Sequence, residues 1–536
     1  MFSITDYFIL SYITLLKETY SGGENKFELK SAASTNTITP MMTIERKTTG
    51  GLKTSAFVGI LTVFATLVSA GELADAIEDV LAEGKLKSAT VGVRVEALKS
   101  ERILYSHNAM TALIPASNQK LLTAAVVLTE LGAEYKFLTS VWLKGNLQKD
   151  GTLNGHVILK GRGDPSLGYS KKESNARAPD SPGIFQQWAQ KLVDQGIRSI
   201  AGDIIVDDTF FDRRFFHPNW PENQIWKYYC APVAGFSFQG NCVFVTAKPA
   251  KRKNAPALIS LQPDVPILEV SNYCKTSLTR NAIWFERKKN SNRIRVGGRA
   301  KAGTEGYTAR VTVPNPPLFA GSAFAETLKS KGIQIKGRIR LRGAKGNEIY
   351  SGAKKVAEHS STLKQILAPM LKESQNSYAE HVLKTVGAVA GNSGSWEEGL
   401  RQAAKFLKKL HFRPGQVVLA DGSGMSRHNK LCPAALCAVL IKMDKSDEGK
   451  LFHNLLAAGG REGTLSDRFK DATCRGRVRA KTGYLRRVGC LSGYARTQSD
   501  LRVAFSIMIN GFTRGGNWHM KKFEDRIVRA IIEKAR

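Results

Sequence analysis

Three short polar clusters, far apart in the chain, limit what this sequence can fold into. The first is Ser117-Asn-Gln-Lys120, inside ALIPASNQKLL. The second is Ser374-Gln-Asn376, 257 residues after Ser117. The third is Lys481-Thr482-Gly483, a further 107 on. If the three form one site, the chain must return to one place twice and carry a long excursion between the first two visits.

The coarse pattern fits such a path. The alternating stretch SATVGVRVEAL reads as a strand, and a helix follows over 117–131. Helices are expected at 361–390 and 397–409, strands at CLSGYART and RVAFSIMING, and a closing helix at 522–535. Strands at both ends of a helical middle predict one α/β body, residues 71–136 and 355–536, interrupted by an insert. An α/β second domain is expected over 137–245 and 316–354. Within it, the polar, basic run 246–315, with short β-like segments such as ILEVSN and ARVTV, predicts a small β-rich third domain.

The chain has 536 residues and 42% apolar content, as expected of several folded domains. Its 79 Lys and Arg against 46 Asp and Glu leave +33 charges. Such a field favours anionic wall or membrane polymers, or it is simply a solvated basic surface. No zinc-finger or RNA-binding consensus is present, so a nucleic-acid partner is not expected. The seven cysteines include no CxxC pair, which argues against a zinc ribbon, and Cys230 and Cys242 flank a short loop that a disulfide would close. Residues 53–70, KTSAFVGILTVFATLVSA, follow basic residues and end in Val-Ser-Ala. The apolar run is shorter than the ~20 residues that span a bilayer. It reads as an export signal cut near Ala70–Gly71, with an uncleaved anchor as the alternative and Met41 as a natural start. Residues 1–70 are therefore expected to be a targeting segment, and the working protein is expected in the periplasm or cell envelope.

Each cluster has a chemical reading. Ser117 opens an apolar helix, where the positive end of the helix dipole favours a developing alkoxide. Lys120 shares its face and can take the serine proton if burial and a nearby cation lower its pKa. Ser374 can relay a proton to a leaving amine, and Asn376 can hold a substrate amide. Lys481 would be the second cation and Thr482 a carboxylate ligand. Gly483 would let a substrate backbone approach, and the N–H of Tyr484 would face an oxyanion. Alone, Ser117 and Lys120 favour the reading of a helix start and a surface lysine. SxxK also occurs at Ser351 and Ser361, too close to Ser374 to leave room for the intervening elements.

The order SxxK, SxN, KTG, together with KGRGDPSL, GDIIVDDTFF, YYCAPVAGFSFQGNCV and DGSGMSRHN, resembles the three-domain low-molecular-mass penicillin-binding proteins, the D-alanyl-D-alanine carboxypeptidase/endopeptidase group. The resemblance implies a transpeptidase-like fold, an antiparallel sheet flanked by helices, with a nested pair of inserted domains. It implies an acyl-enzyme on Ser117, with Lys120, Ser374 and Lys481 moving protons and no cofactor or metal. It implies that Asn376, Thr482, Gly483 and Tyr484 hold substrate, that the N–H groups of Ser117 and Tyr484 form the oxyanion hole, and that Asp207 pairs with a stem-peptide amine. Peptidoglycan peptides would be the substrate and β-lactams covalent inhibitors. The large Tyr484, where Ser or Thr is common, is expected to reshape the substrate entrance. The glycine loop 421–429 is expected to border the site as a structural turn. A β-lactamase and a non-catalytic wall-polymer binder are the rival readings. No glutamate-asparagine deacylation element follows Ser374, which weighs against the first.

Overall fold

The computed structural model describes residues 71–168, 183–343, 347–513 and 515–536. The expected export signal, 53–70, lies outside them. The main sheet has six antiparallel strands in the order Ala457–Ala458, Val478–Leu485, Val488–Arg496, Arg502–Asn510, Thr90–Ala97, Ile103–His107. The first long strand therefore lies beside the last, Thr90 opposite Asn510. RVAFSIMIN is apolar almost without interruption because both of its faces are covered. Val503, Phe505, Ile507 and Ile509 pack in the cluster that holds helix 71–81 and the Asn517–Lys534 helix. Ala504 and Met508 face the helices Gln119–Leu131, Leu363–Lys372, Asn376–Val389, Trp396–Lys409 and Pro433–Asp444.

The excursion leaves and returns through one stem. Lys136–Leu147 runs out directly after the Gln119–Leu131 helix, and Lys354–Thr362 comes back antiparallel beside it, Thr362 opposite Lys136. Both belong to a seven-stranded sheet in which Thr152–Gly161 pairs antiparallel with Lys136–Leu147 and parallel with Ser199–Ile200 and Ile204–Asp207, the parallel pairs being joined by crossovers. The helices Ile184–Asp194 and Pro316–Ser330 cover it through Trp188 and Phe324. Two three-stranded sheets follow, one of Cys242–Lys248, Leu258–Gln262 and Tyr307–Thr312, the other of Glu269–Ser277, Ala282–Arg287 and Arg293–Lys301. Their apolar residues, Val243, Phe285 and Val296 among them, share one core with Val157 of the larger sheet and Phe319 of the Pro316–Ser330 helix. The strand Cys242–Lys248 crosses the boundary expected at 246.

The helical run expected over 361–390 is broken. Leu363–Lys372 stops after Pro369, and Asn376–Val389 starts anew. Between them Ser374 takes a left-handed φ of 62°, a conformation that costs a non-glycine residue about 1 kcal/mol or more.

All seven cysteines are buried and free, so the loop between Cys230 and Cys242 is not closed by a disulfide. Cys230 lies instead against the Met425 sulfur at 3.6 Å. Thiol titration should therefore find little reaction in the native chain and seven thiols in denaturant, with no change on prior reduction. A count of five would mean that a disulfide has formed.

Candidate active site

The break before Asn376 and a strained turn before Ser117 place the polar clusters together. Ala116, at φ 44°, opens the short 3-10 turn Ala116–Asn118 that leads into the Gln119–Leu131 helix. Ser117 is half-buried at that turn, and Lys120, one helical turn on, is buried completely. The Lys120 Nζ sits 2.8 Å from each of three acceptors: the Ser117 hydroxyl, the Asn376 Oδ1 and the carbonyl of Ser423. Burial brings Lys120 down to about 7, against the carboxylates of Glu380 and Asp421, which push it back up. A neutral amine has two hydrogens and one lone pair. With Asn376 and Ser423 fixed as acceptors, the lone pair is left for Ser117.

The second lysine is equally buried. The Lys481 Nζ donates to the Ser374 hydroxyl at 2.9 Å and to the carbonyl of Thr482 at 2.8 Å. Burial and then the charge of Lys120 hold it well below the usual lysine range. Burial is the largest cause at both lysines, and each ammonium charge disfavours the other. Asn118 sews the nucleophile turn to this strand. With its amide oriented to satisfy both neighbours, it donates to the Lys481 carbonyl at 2.7 Å and accepts from the Ser492 hydroxyl at 2.8 Å.

Several expected roles change in detail. Asn376 accepts from Lys120 and donates one amide hydrogen to the Tyr229 carbonyl at 3.0 Å, so part of its hydrogen-bonding capacity serves the protein itself. Gly483 lies against the Ser117 turn. A Cβ there would come 2.9 Å from the Pro115 carbonyl and 3.0 Å from the Ser117 nitrogen, so the glycine is required by the protein's own backbone. The Thr482 hydroxyl donates to that of Thr464 at 2.9 Å. The Tyr484 ring does not shape an entrance. It is drawn to the closing helix, where its hydroxyl donates to Glu524 at 2.5 Å and accepts from Arg468 at 2.7 Å.

Asp207 does not join the cluster. Its Oδ1 accepts from the Thr209 N–H and hydroxyl, and its Oδ2 from Arg342 at 2.9 Å and Tyr350 at 2.5 Å. Burial pushes its carboxyl up, but those donors outweigh it and hold it below the usual range. A carboxylate with both oxygens committed inside the inserted sheet is not offered to a ligand. Asp208 is likewise buried and forked by Arg213.

The loop 421–429 does more than turn. Glu380, one helical turn beyond Asn376, accepts the N–H groups of Gly422 at 3.0 Å and Ser423 at 2.7 Å and the Trp396 indole N–H at 2.8 Å. Asp421 accepts those of Gly424 and Ser426. Together they aim the Ser423 carbonyl at Lys120. Gly424, at φ 81°, backs onto Ala116, where a Cβ would lie 1.7 Å from the carbonyl oxygen. Burial and then the Asp421 charge push the Glu380 carboxyl up. DGSG marks a turn in the sequence, but nothing local links it to a lysine 303 residues earlier.

The insert docks on the same helix. Lys384 pairs with Asp212 at 2.5 Å, His381 meets Ser237 at 2.8 Å, and Phe211, Trp220, Cys230 and Val233 pack on Leu383, Trp396 and Met425. The stretches VDDTFF and YYCAPVAGFSF are thus the contacts that hold the insert against the Asn376–Val389 helix. Among the described residues no cluster of His, Cys, Asp and Glu could hold a metal ion.

Known proteins resemble this chain in sequence and in fold. The family model for D-Ala-D-Ala carboxypeptidase 3 (S13) matches residues 73–533. The D-alanyl-D-alanine carboxypeptidase of Actinomadura sp. (strain R39) is 32% identical over 82% of this chain and 81% of its own. The D-alanyl-D-alanine carboxypeptidase DacB of Haemophilus influenzae is 26% identical over 80% of this chain and 87% of its own. The crystal structure of penicillin binding protein 4 (dacB) from Haemophilus influenzae superposes with a TM-score of 0.73 at 25% identity, covering 85% of this chain and 99% of that one. The chain belongs to the D-Ala-D-Ala carboxypeptidase 3 (S13) family.

Proposed function

We propose that the chain is a serine D-Ala-D-Ala carboxypeptidase acting on peptidoglycan stem peptides, with Ser117 as nucleophile. The observation that carries this reading is the buried Lys120 with Ser117, Asn376 and Ser423 as its only side-chain and carbonyl acceptors among the described residues. The Ser117 Oγ attacks the carbonyl carbon of the penultimate D-alanine, and its proton passes to Lys120. The N–H groups of Ser117 and Tyr484 stabilise the oxyanion, each such donor contributing ~3 kcal/mol. As the C–N bond breaks, Ser374 gives its proton to the leaving D-alanine nitrogen and is resupplied from the lysine pair. Water then cleaves the ester. The Asn376 amide, whose second hydrogen rests on the Met425 sulfur at 3.6 Å, and the Thr482 hydroxyl are the side-chain contacts for substrate.

The catalytic body comprises 71–136 and 355–536. The insert comprises 137–245 and 316–354 with the β-rich part nested in it; the single stem and a core distinct from those of the catalytic body support its separation from that body. Its work lies outside the cytoplasm, as the run 53–70 implies.

β-Lactams should acylate Ser117. A fluorescent penicillin should label the chain one to one, and the chain should release D-alanine from a D-Ala-D-Ala stem peptide. Ser117→Ala should lose both. Label persisting in that variant, or rapid release of hydrolysed penicillin, would contradict the assignment.

Glu380 provides a second check, through pH. Lys120 accepts a proton only when neutral, so acylation is expected to fall as pH drops below about 7. The Glu380 charge raises Lys120, so Glu380→Gln should move this acid limb to lower pH. An unmoved or upward-shifted limb would remove Glu380 from the account.

A further inference from the structure

The active site leaves the chain's excess of cations without a use, and the run RKKNSNRIRVGGRAK lies in the insert. The sheet Ala282–Arg287, Arg293–Lys301, Glu269–Ser277 has two unlike faces. On one, Cys274, Phe285, Ile294, Val296 and Ala300 are buried in the insert's core. On the other, the register puts Trp284, Gly297 and Tyr273 in one row across the three strands. The Trp284 indole lies across Gly297, where a Cβ would sit 2.1 Å from the ring. Both aromatics stay open, Tyr273 at 59% and Trp284 at 43%. The Arg295 guanidinium stands 5.5 Å from the Tyr273 ring centre and 5.9 Å from that of Trp284.

Cations surround this row on the same face. Arg299 and Lys275 are the next pair across the strands, and Lys301 lies beyond. The edge loop carries Lys251, Arg252 and Lys253, and its Asn254 is reached by Arg299. The two carboxylates of the face, Glu269 and Glu286, are taken by Arg293 and Arg295. Lys275, Arg299 and Lys301 have no acidic partner among the described residues. An open aromatic pair, held by a glycine that makes room for it and bordered by uncompensated cations, departs from an ordinary solvated surface. Rings of this kind receive the apolar faces of sugars, and the cations select negative charge.

We propose that this face docks a glycan bearing carboxylates, with sugar rings on Trp284 and Tyr273 and carboxylates on Lys275, Arg299 and Lys301. The choice of a glycan rests on the reading of the chain as a peptidoglycan peptidase. The surface would hold the polymer while the cleft works on its peptides.

Affinity electrophoresis and calorimetry of the purified chain at physiological salt test this. The probes are polygalacturonate as the anionic glycan, dextran as the neutral one, oligothymidylate and phosphatidylglycerol vesicles. Polygalacturonate should bind, and dextran should not. Trp284→Ala with Tyr273→Ala should weaken binding about tenfold or more, and Lys275→Glu with Arg299→Glu should abolish it. Each pair should leave D-alanine release from a soluble peptide unchanged, which also reports a folded chain. Polygalacturonate is not a substrate, so loss of binding and loss of peptidase activity are separate results. Unchanged binding in the aromatic pair would reduce the face to general charge and overturn the proposal. So would stronger, aromatic-dependent binding of oligothymidylate or of the vesicles.

Discussion

Everything at the site depends on keeping one lysine dry. Lys120 lies beneath Ser117 on an apolar helix, and burial lowers the cost of its neutral form relative to the charged one. Its acceptors come from three separate parts of the chain: Ser117 on its own helix, Asn376 beyond the insert, and the Ser423 carbonyl in a glycine loop. Each must be rigid, because a neutral amine with mobile acceptors has no defined direction for its lone pair. The fold supplies that rigidity from outside, through Glu380 and Asp421 on the loop, Asn118 on the neighbouring strand, and the insert packed on the Asn376–Val389 helix.

The strain sits where this geometry needs it. Ala116 and Ser374 both take left-handed backbone conformations, one beside the nucleophile and one at the relay hydroxyl. Gly424 and Gly483 press on the same turn from opposite partners, and neither position has room for a Cβ. Non-glycine residues hold such conformations only where surrounding contacts over-determine them. Here the contacts are the backbones of the loop and of the strand that carries Lys481.

The chemistry was legible in the sequence wherever it depended on residues close in number. Ser117 and Lys120 share a helix face by spacing alone, and SATVGVRVEAL announced its strand by alternation. What depended on distant packing was not legible. A helix read through 361–390 gave no sign that Ser374 would break it, since serine is an ordinary residue at either position. Asp207, read as a ligand, became internal when Arg342 and Tyr350 closed on it from the returning half of the insert. The Tyr484 ring, expected to reshape the substrate entrance, is held instead by Glu524 and Arg468. Glu380 was passed over because its partners, the N–H groups of Gly422 and Ser423, lie on a loop more than forty residues away.

The account stands on the protonation of Lys120, and that can be measured directly. Selective 13Cε-lysine labelling, with Lys120→Arg supplying the assignment, would follow its resonance by NMR as pH is raised. A titration near 7 is the expected result. A midpoint in the ordinary lysine range, near ~10.4, would mean that Lys120 stays charged under working conditions and cannot be the base for Ser117.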